Sequence, residues 1–319
     1  MSAPRVGLIG ARRRRQGLGP FVAGFLVEAG AEVPAFLGTR AETLAQASRD
    51  LHDRIGVWAK GYIELDRLLA EHPLDGLAIL SPSETHAGYL ERALEAGLHV
   101  FCEKPLVWGE PGLARRGAAL VARFAESRRL LHENCQWPYT LPSFEALHPG
   151  VLAEPLQSFG MRLTPMSRGA DMLGDSLPHP LSLLQALAPS DAPGVANVRL
   201  PPHPEPEGIA IHFDYHSGPA KVAVEVELLP SDRAPRKAAY GVNGRWVDRA
   251  IRVSDYALSF VNGSRSVPVA DPLRQSVSRF VSALRGVGGG DVPEPSGEVA
   301  ARMAMLEGLL EAYHAGEAA

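Results

Sequence analysis

Between Arg5 and Leu131 the chain repeats one pattern: a short apolar run, a turn, then a stretch with helical spacing. The runs are Arg5 to Ile9 (RVGLI), Glu32 to Leu37 (EVPAFL), Gly76 to Leu80 (GLAIL) and Leu98 to Cys102 (LHVFC), with a further apolar pair at Leu130 and Leu131. The helical stretches are Phe21 to Ala29, Ala41 to Leu51, Ile63 to Glu71, His86 to Ala96 and Leu113 to Ser127. Strands this short and this apolar, separated by helices, are expected to lie parallel in a sheet covered on both faces.

The pattern changes near residue 135. Gln136 to Pro142 (QWPYTLP) breaks the alternation with two prolines. Farther on, IAIHFDYH at 209–216 and KVAVEVELL at 221–229 alternate in period two around a Ser217-Gly218-Pro219 turn, which predicts antiparallel sheet. Two helices, Pro272 to Arg285 and Ser296 to His314, close the chain. The expected organisation is an α/β domain over 1–135 and an α+β domain over 136–319 built on a mostly antiparallel sheet.

With 319 residues the chain is long enough for two such cores. A net charge of -4 gives no overall basic field, so a nucleic-acid partner is not expected. The two cysteines, Cys102 and Cys135, stand in no CxxC or Cys/His cluster, so neither a metal site nor a disulfide framework is expected. No apolar run approaches the roughly 20 residues that span a bilayer, and the first residues carry no signal-peptide pattern. The expected location is the cytoplasm, without a membrane partner.

Residues 10–21 read GARRRRQGLGPF. A strand ending in glycine, a glycine-bearing turn and a helix is the layout of a dinucleotide site. Glycines there let backbone approach a diphosphate, and the free N–H groups of the helix start favour anions. Against the usual GxGxxG, Gly10 is followed only by Gly17 and Gly19, with an insertion of about four residues between. Gly10, Ala11, Arg12, Arg13, Gly17, Leu18 and Gly19 are therefore the candidate diphosphate contacts, the arginines adding guanidinium groups. At the end of the second strand NAD-binding proteins usually carry Asp or Glu for the ribose. This chain has Thr39 and Arg40. A hydroxyl and a cation suit a 2'-phosphate, so NADP is favoured over NAD.

The segment DGLAILSPSETHAGYLERALEAGLHVFCEKPL, Asp75 to Leu106, resembles the Gfo/Idh/MocA family of NAD(P)-dependent oxidoreductases. Ser81-Pro82 followed by His86 is similar to the family's Thr-Pro-x-x-x-His turn. ALEAGLHV matches a family helix-to-strand segment, and Glu103-Lys104-Pro105 its Glu-Lys-Pro signature. In the second half DSLPHPLS at 175–182 resembles the family's Asp-x-Gly-x-His-x-x-Asp, with Leu177 in place of the glycine and Ser182 in place of the last aspartate.

The resemblance implies a Rossmann domain, doubly wound, followed by a sheet domain whose open face forms a homodimer or homotetramer interface and covers an otherwise large apolar surface. It implies hydride transfer between nicotinamide and a secondary alcohol or ketone of a sugar, cyclitol or related small molecule. Lys104 is then the group that hydrogen-bonds the reacting oxygen. Ser81, Pro82, His86 and Glu103 support the cofactor, and Glu103 orients Lys104. His179 is the candidate acid/base, with Asp175 one helical turn before it. Pro178 and Pro180 leave the regularity of that turn open. Trp137 is a candidate to stack on a ring-shaped substrate, with core packing as its other reading. Glu133, beside Asn134, is a minor candidate. The alternative function is a non-catalytic dinucleotide-binding regulator on the same fold.

Overall fold

In a computed structural model of the chain, residues 2–12, 17–286 and 296–317 are described. Arg13 lies outside the described residues, as do Arg14 and Arg15. The chain divides into two compact units.

The first unit holds a six-stranded sheet. Its elements are β1 (Val6–Ile9), α1 (Gly19–Glu28), β2 (Ala35–Leu37), α2 (Leu44–Ile55), β3 (Lys60–Tyr62), α3 (Leu65–Glu71), β4 (Gly76–Ile79), α4 (His86–Glu95), β5 (His99–Cys102), α5 (Leu113–Glu126) and β6 (Leu131–Glu133). Every pairing is parallel, and the order is β3-β2-β1-β4-β5-β6. The order reverses between β1 and β4, so the turns after those two strands lie side by side at the carboxyl end of the sheet. β3 is the element that the apolar pattern does not announce, because Lys60-Gly61-Tyr62 carries no apolar run. It is held by pairing, Phe36 opposite Gly61, with Tyr62 its one buried side chain.

The core of this unit is made by the strands and by α1, among them Val6, Leu8, Val22, Leu26, Phe36 and Phe101. The stretch from Leu273 belongs to the same unit, through Val277, Phe280 and Val281. The compact units are thus not two uninterrupted spans of sequence.

The second unit holds eight strands in the order β14-β13-β12-β11-β7-β10-β9-β8. In chain order its elements are α6 (Leu141–Leu147), β7 (Ser158–Leu163), α7 (Asp171–Ser176), α8 (Pro178–Leu187), β8 (Gly194–Arg199), β9 (Ile209–Ser217), β10 (Ala220–Leu228), β11 (Ala238–Val242), β12 (Arg245–Arg252), β13 (Ala257–Asn262) and β14 (Arg265–Val269). All pairings are antiparallel except β7 with β10. A row of register partners crosses the sheet as Val247, Tyr240, Met161, Val226 and Ile211, all buried. Paired residues share a face, so this row marks the inner side. α6 packs on β13 and β14, and α8 on β7.

The outer side departs from the expected apolar surface. It carries Arg162, Glu227, Asp214, Lys221 and Glu225, with ion pairs Arg162–Glu227 and Lys221–Asp214 at 3.0 and 2.9 Å. Its one large ring, Trp246, lies over Gly160 and Gly241, where a Cβ on either glycine would collide with the indole. Arg162 covers that ring at 4.5 Å. No helix among the described residues is long and apolar enough to cross a membrane.

Candidate functional site

Three turns of the first unit meet at the carboxyl end of its sheet. After β1 the backbone turns through Gly10 at φ 92°, a conformation that favours glycine. A Cβ on Gly10 would come within 2.6 Å of the Leu80 carbonyl oxygen. A Cβ on Gly19 would overlap the carbonyl of Gly10 and the backbone of Ala11. Gly19 is therefore where the start of α1 presses onto the turn, the close approach that a dinucleotide turn needs. No side chain among the described residues caps α1, and no acidic residue stands in its first turn. The positive end of its dipole is left for an anion. Ala11 is buried, while Arg12, Gly17 and Leu18 are partly exposed along the same turn.

The second turn follows β4. Leu80 N–H donates to the Ile9 carbonyl at 2.8 Å, which ties the two turns together. Ser81 and Thr85 hydroxyls lie 2.7 Å apart, and Thr85 also donates to the Pro82 carbonyl. The third turn follows β5, where Glu103 N–H donates to the Ile79 carbonyl at 2.9 Å. His86, buried at the start of α4, joins the second turn to the third. Its Nε2 lies 2.8 Å from the Ser81 carbonyl and its Nδ1 2.8 Å from the Pro105 carbonyl. Burial pushes this imidazole below the usual histidine range, against the two carbonyls, which favour the charged form.

Lys104 is half-buried between Glu103 and Pro105. The Glu103 carboxylate accepts from the Asn134 amide, a residue that directly follows β6. Glu133 and Asn134 are both buried, at 2% and 1% exposure. The sequence gives Asn134 no role and Glu133 only a minor one. The signal is there: Glu133 ends β6 and Asn134 directly follows it, two polar residues at the end where the other turns gather. At the end of β2, Thr39 and Arg40 are exposed, and the Arg40 carbonyl accepts from the Thr43 hydroxyl at 2.9 Å. No carboxylate side chain occupies the last positions of β2. These residues fit a dinucleotide: a glycine turn with no space for side chains, a helix start with no side-chain cap among the described residues, and an exposed cation just beyond β2.

In the second unit α7 and α8 form almost one helix. Leu177 between them is helical at φ -63°, ψ -28°, and its N–H donates to the Leu173 carbonyl at 2.8 Å. The break reflects Pro178 and Pro180, which have no N–H to give. Asp175 and His179 therefore share a helix face, as their spacing implies. Ser167 donates to Asp175 at 3.2 Å. Ser182, buried, donates to the His179 carbonyl at 2.8 Å, so its hydroxyl is engaged within the helix.

Trp137 is 5% exposed. It meets Tyr240 edge-on at 5.9 Å and His179 at 6.0 Å. The guanidinium of Arg249 lies over it at 5.3 Å. The ring thus occupies the inner layer, packed as in its second reading above. Arg249 is a residue that sequence reasoning missed. In the alternation of β12 it falls at an inward position, two after buried Val247.

Comparison with known proteins bears chiefly on the first unit. Residues 5–134 match the profile of the Gfo/Idh/MocA oxidoreductases, described as an oxidoreductase family with an NAD-binding Rossmann fold. The chain is 38% identical over 80 residues to D-xylose 1-dehydrogenase (NADP(+)) 2 of Haloferax volcanii, which covers 23% of this chain and 24% of that protein. It is 29% identical over 170 residues to inositol 2-dehydrogenase of Pseudomonas syringae pv. syringae, covering 51% and 48%. The chain thus spans about a quarter to about half of the length of these curated relatives. A solved UDP-N-acetylglucosamine 3-dehydrogenase from Acidithiobacillus ferrooxidans matches 98% of this chain and 99% of its own at 19% identity, TM-score 0.67. A 3-ketoreductase from Actinomadura kijaniata, solved with TDP-benzene and NADP, matches 97% of each chain at 20% identity, TM-score 0.68. At such identities the structural likeness speaks to fold.

Proposed function

We propose, from the match of residues 5–134 to the Gfo/Idh/MocA oxidoreductase family, that the chain is an NAD(P)-dependent oxidoreductase of that kind. It interconverts a secondary alcohol and a ketone on a sugar, cyclitol or related small molecule. The observation that carries this reading is the junction of the three turns, with His86 fixed between Ser81 and Pro105. That junction places the glycine turn and the Lys104 turn on one edge of one sheet.

When bound, the dinucleotide supplies the site that accepts or gives the hydride. The protein holds it through the backbone around Gly10 and Gly19 and the start of α1. Arg40 and Thr39 take the ribose end, with NADP preferred. Lys104 donates a hydrogen bond to the substrate oxygen and favours the negative charge that grows on it. His179 is the proposed acid/base group. Asp175, one turn away on the same face, binds a substrate hydroxyl or biases the His179 tautomer. Trp137 sets the position of His179. Assembly into a homodimer or homotetramer through the outer face of the sheet belongs to the same reading, with the protein in the cytoplasm; light scattering gives the size.

The test is cofactor reduction across a panel of sugars, sugar acids and polyols with NADP and NAD in parallel. Turnover of at least one member, faster with NADP, supports the reading. Saturable nucleotide binding without turnover of any member supports the regulator instead.

A further inference from the structure

Arg249 is a cation on the inner face of the second unit's sheet. Its Nη2 donates to the Arg236 carbonyl at 2.9 Å, and its guanidinium lies over Trp137 at 5.3 Å. Its Nε is shielded from solvent and has no acceptor among the described residues. The residue as a whole is partly exposed. Other arginines and lysines of this unit have carboxylate partners among the described residues: Arg162 with Glu227, Arg168 with Glu207 and Asp232, Lys221 with Asp214, and Arg252 with Asp255. Neither Arg249 nor Arg236 takes part in them.

Two arginines are thus close together with no carboxylate between them. Burial first, and then the Arg236 charge, push the Arg249 guanidinium down to about 10. An uncompensated buried cation is costly, and a second cation beside it adds to the cost. The stacking on Trp137 returns part of it. An anion returns more, because a guanidinium meets a carboxylate or phosphate with two parallel hydrogen bonds. The same indole touches His179 at 6.0 Å. An oxyanion held at Arg249 therefore leaves the rest of a small molecule beside the imidazole.

We infer that Arg249, with Arg236, binds an oxyanion of the substrate, a carboxylate or a phosphate ester. This rests on the oxidoreductase reading and narrows it: the substrate is an acidic hydroxy or keto compound and not a neutral polyol. Ser182, whose hydroxyl is engaged with the His179 carbonyl, fits a site that recognises its ligand through charge more than through hydroxyl groups.

The experiment titrates the full chain by calorimetry with malonate and with inorganic phosphate, at constant ionic strength, with glycerol as the neutral control. Wild type, Arg249→Met, Arg249→Lys and Arg236→Met are compared, and each is titrated separately with NADPH. At least one anion is expected to saturate wild type. Its Kd should rise at least tenfold in Arg249→Met and severalfold in Arg236→Met, with partial recovery in Arg249→Lys. Saturation by malonate alone assigns a carboxylate, and by phosphate alone a phosphate ester. If Arg249→Met does not fold, Arg249→Lys and Arg236→Met decide. NADPH binding without saturation by either anion, or with equal anion affinity in all four proteins, overturns this inference and leaves the oxidoreductase reading standing. Arginine-dependent anion binding without any NADPH binding overturns that reading and leaves the anion site.

Discussion

The Nδ1 of His86 lies 2.8 Å from the carbonyl oxygen of Pro105, the residue after Lys104. Its other nitrogen faces the Ser81 carbonyl at the same distance. A neutral ring has one N–H, so it donates to one carbonyl at a time. Burial keeps it neutral by lowering its affinity for a proton.

Stability should therefore fall on the acid side. The unfolded chain takes up the His86 proton near pH 6.5, the folded chain only below that. Stability is complete above about pH 6.5 and is lost as pH falls toward the depressed folded value. His99 acts in the same direction through burial and the Arg129 charge, and its Nδ1 accepts from Leu130 N–H at 2.9 Å. Thermal melts from pH 8 to pH 5 should show Tm falling below pH 6.5, with a shallower slope in His86→Gln. An unchanged slope in the variant would assign the acid loss to other groups.

Gly19→Ala tests the glycine turn. The added methyl overlaps the Gly10 carbonyl and the Ala11 backbone, neither of which can rotate away. The strain is on the order of 1–3 kcal/mol, relieved by opening the turn. NADPH affinity should fall more than tenfold while far-UV circular dichroism stays near that of wild type. Gly88→Ala, where a Cβ meets nothing within 4 Å, is the matched control and should bind normally.

Arg40→Ala addresses cofactor choice. Arg40 is exposed beyond β2, and no acidic side chain stands at the strand's end. A charge-assisted contact to a 2'-phosphate contributes roughly 1.5–3 kcal/mol. Kd for NADPH should rise at least tenfold, and Kd for NADH by less than threefold. Equal losses would remove Arg40 from the ribose site.

Arg249→Met should make the protein more stable. The folded-state pKa of about 10 lies below the ordinary arginine value, so the buried charge costs stability throughout the neutral range. The cost would disappear only as pH rises through that value. Exchanging a buried ion for an apolar side chain of similar length is often stabilising by about 1–4 kcal/mol. Chemical denaturation at pH 7 should show a higher midpoint with the same m-value. A lower midpoint would mean that the contact with Trp137 outweighs the burial cost.

Much of the first unit could be read from the chain because its strands are short apolar runs joined through helices, and Gly76–Ile79 and His99–Cys102 begin and end within a residue of where the runs do. β3 could not, since Lys60 and Gly61 give no hydrophobic period and only their partners on β2 make them a strand. Lys104, Asp175 and His179 were visible as motif positions. Arg249 was hidden because a cation at an inward position breaks the apolar period of β12, and the register of Val247 with Tyr240 fixes the side it occupies. Asn134 was hidden because its partner, Glu103, lies on the neighbouring strand's turn, a relation set by the β5–β6 pairing. The charged outer face of the second sheet follows from residues such as Arg162 and Glu227, which are far apart in sequence and adjacent only in the parallel β7–β10 pair.

The most direct test of the account compares wild type with Lys104→Ala for both nucleotide binding and turnover. The account predicts saturable NADPH binding in both proteins, within about threefold, and a kcat lower by roughly 10²–10³ in the variant, the usual loss for a donor aimed at developing negative charge. Full turnover without the Lys104 amine, or wild type that takes up no nucleotide, would contradict it.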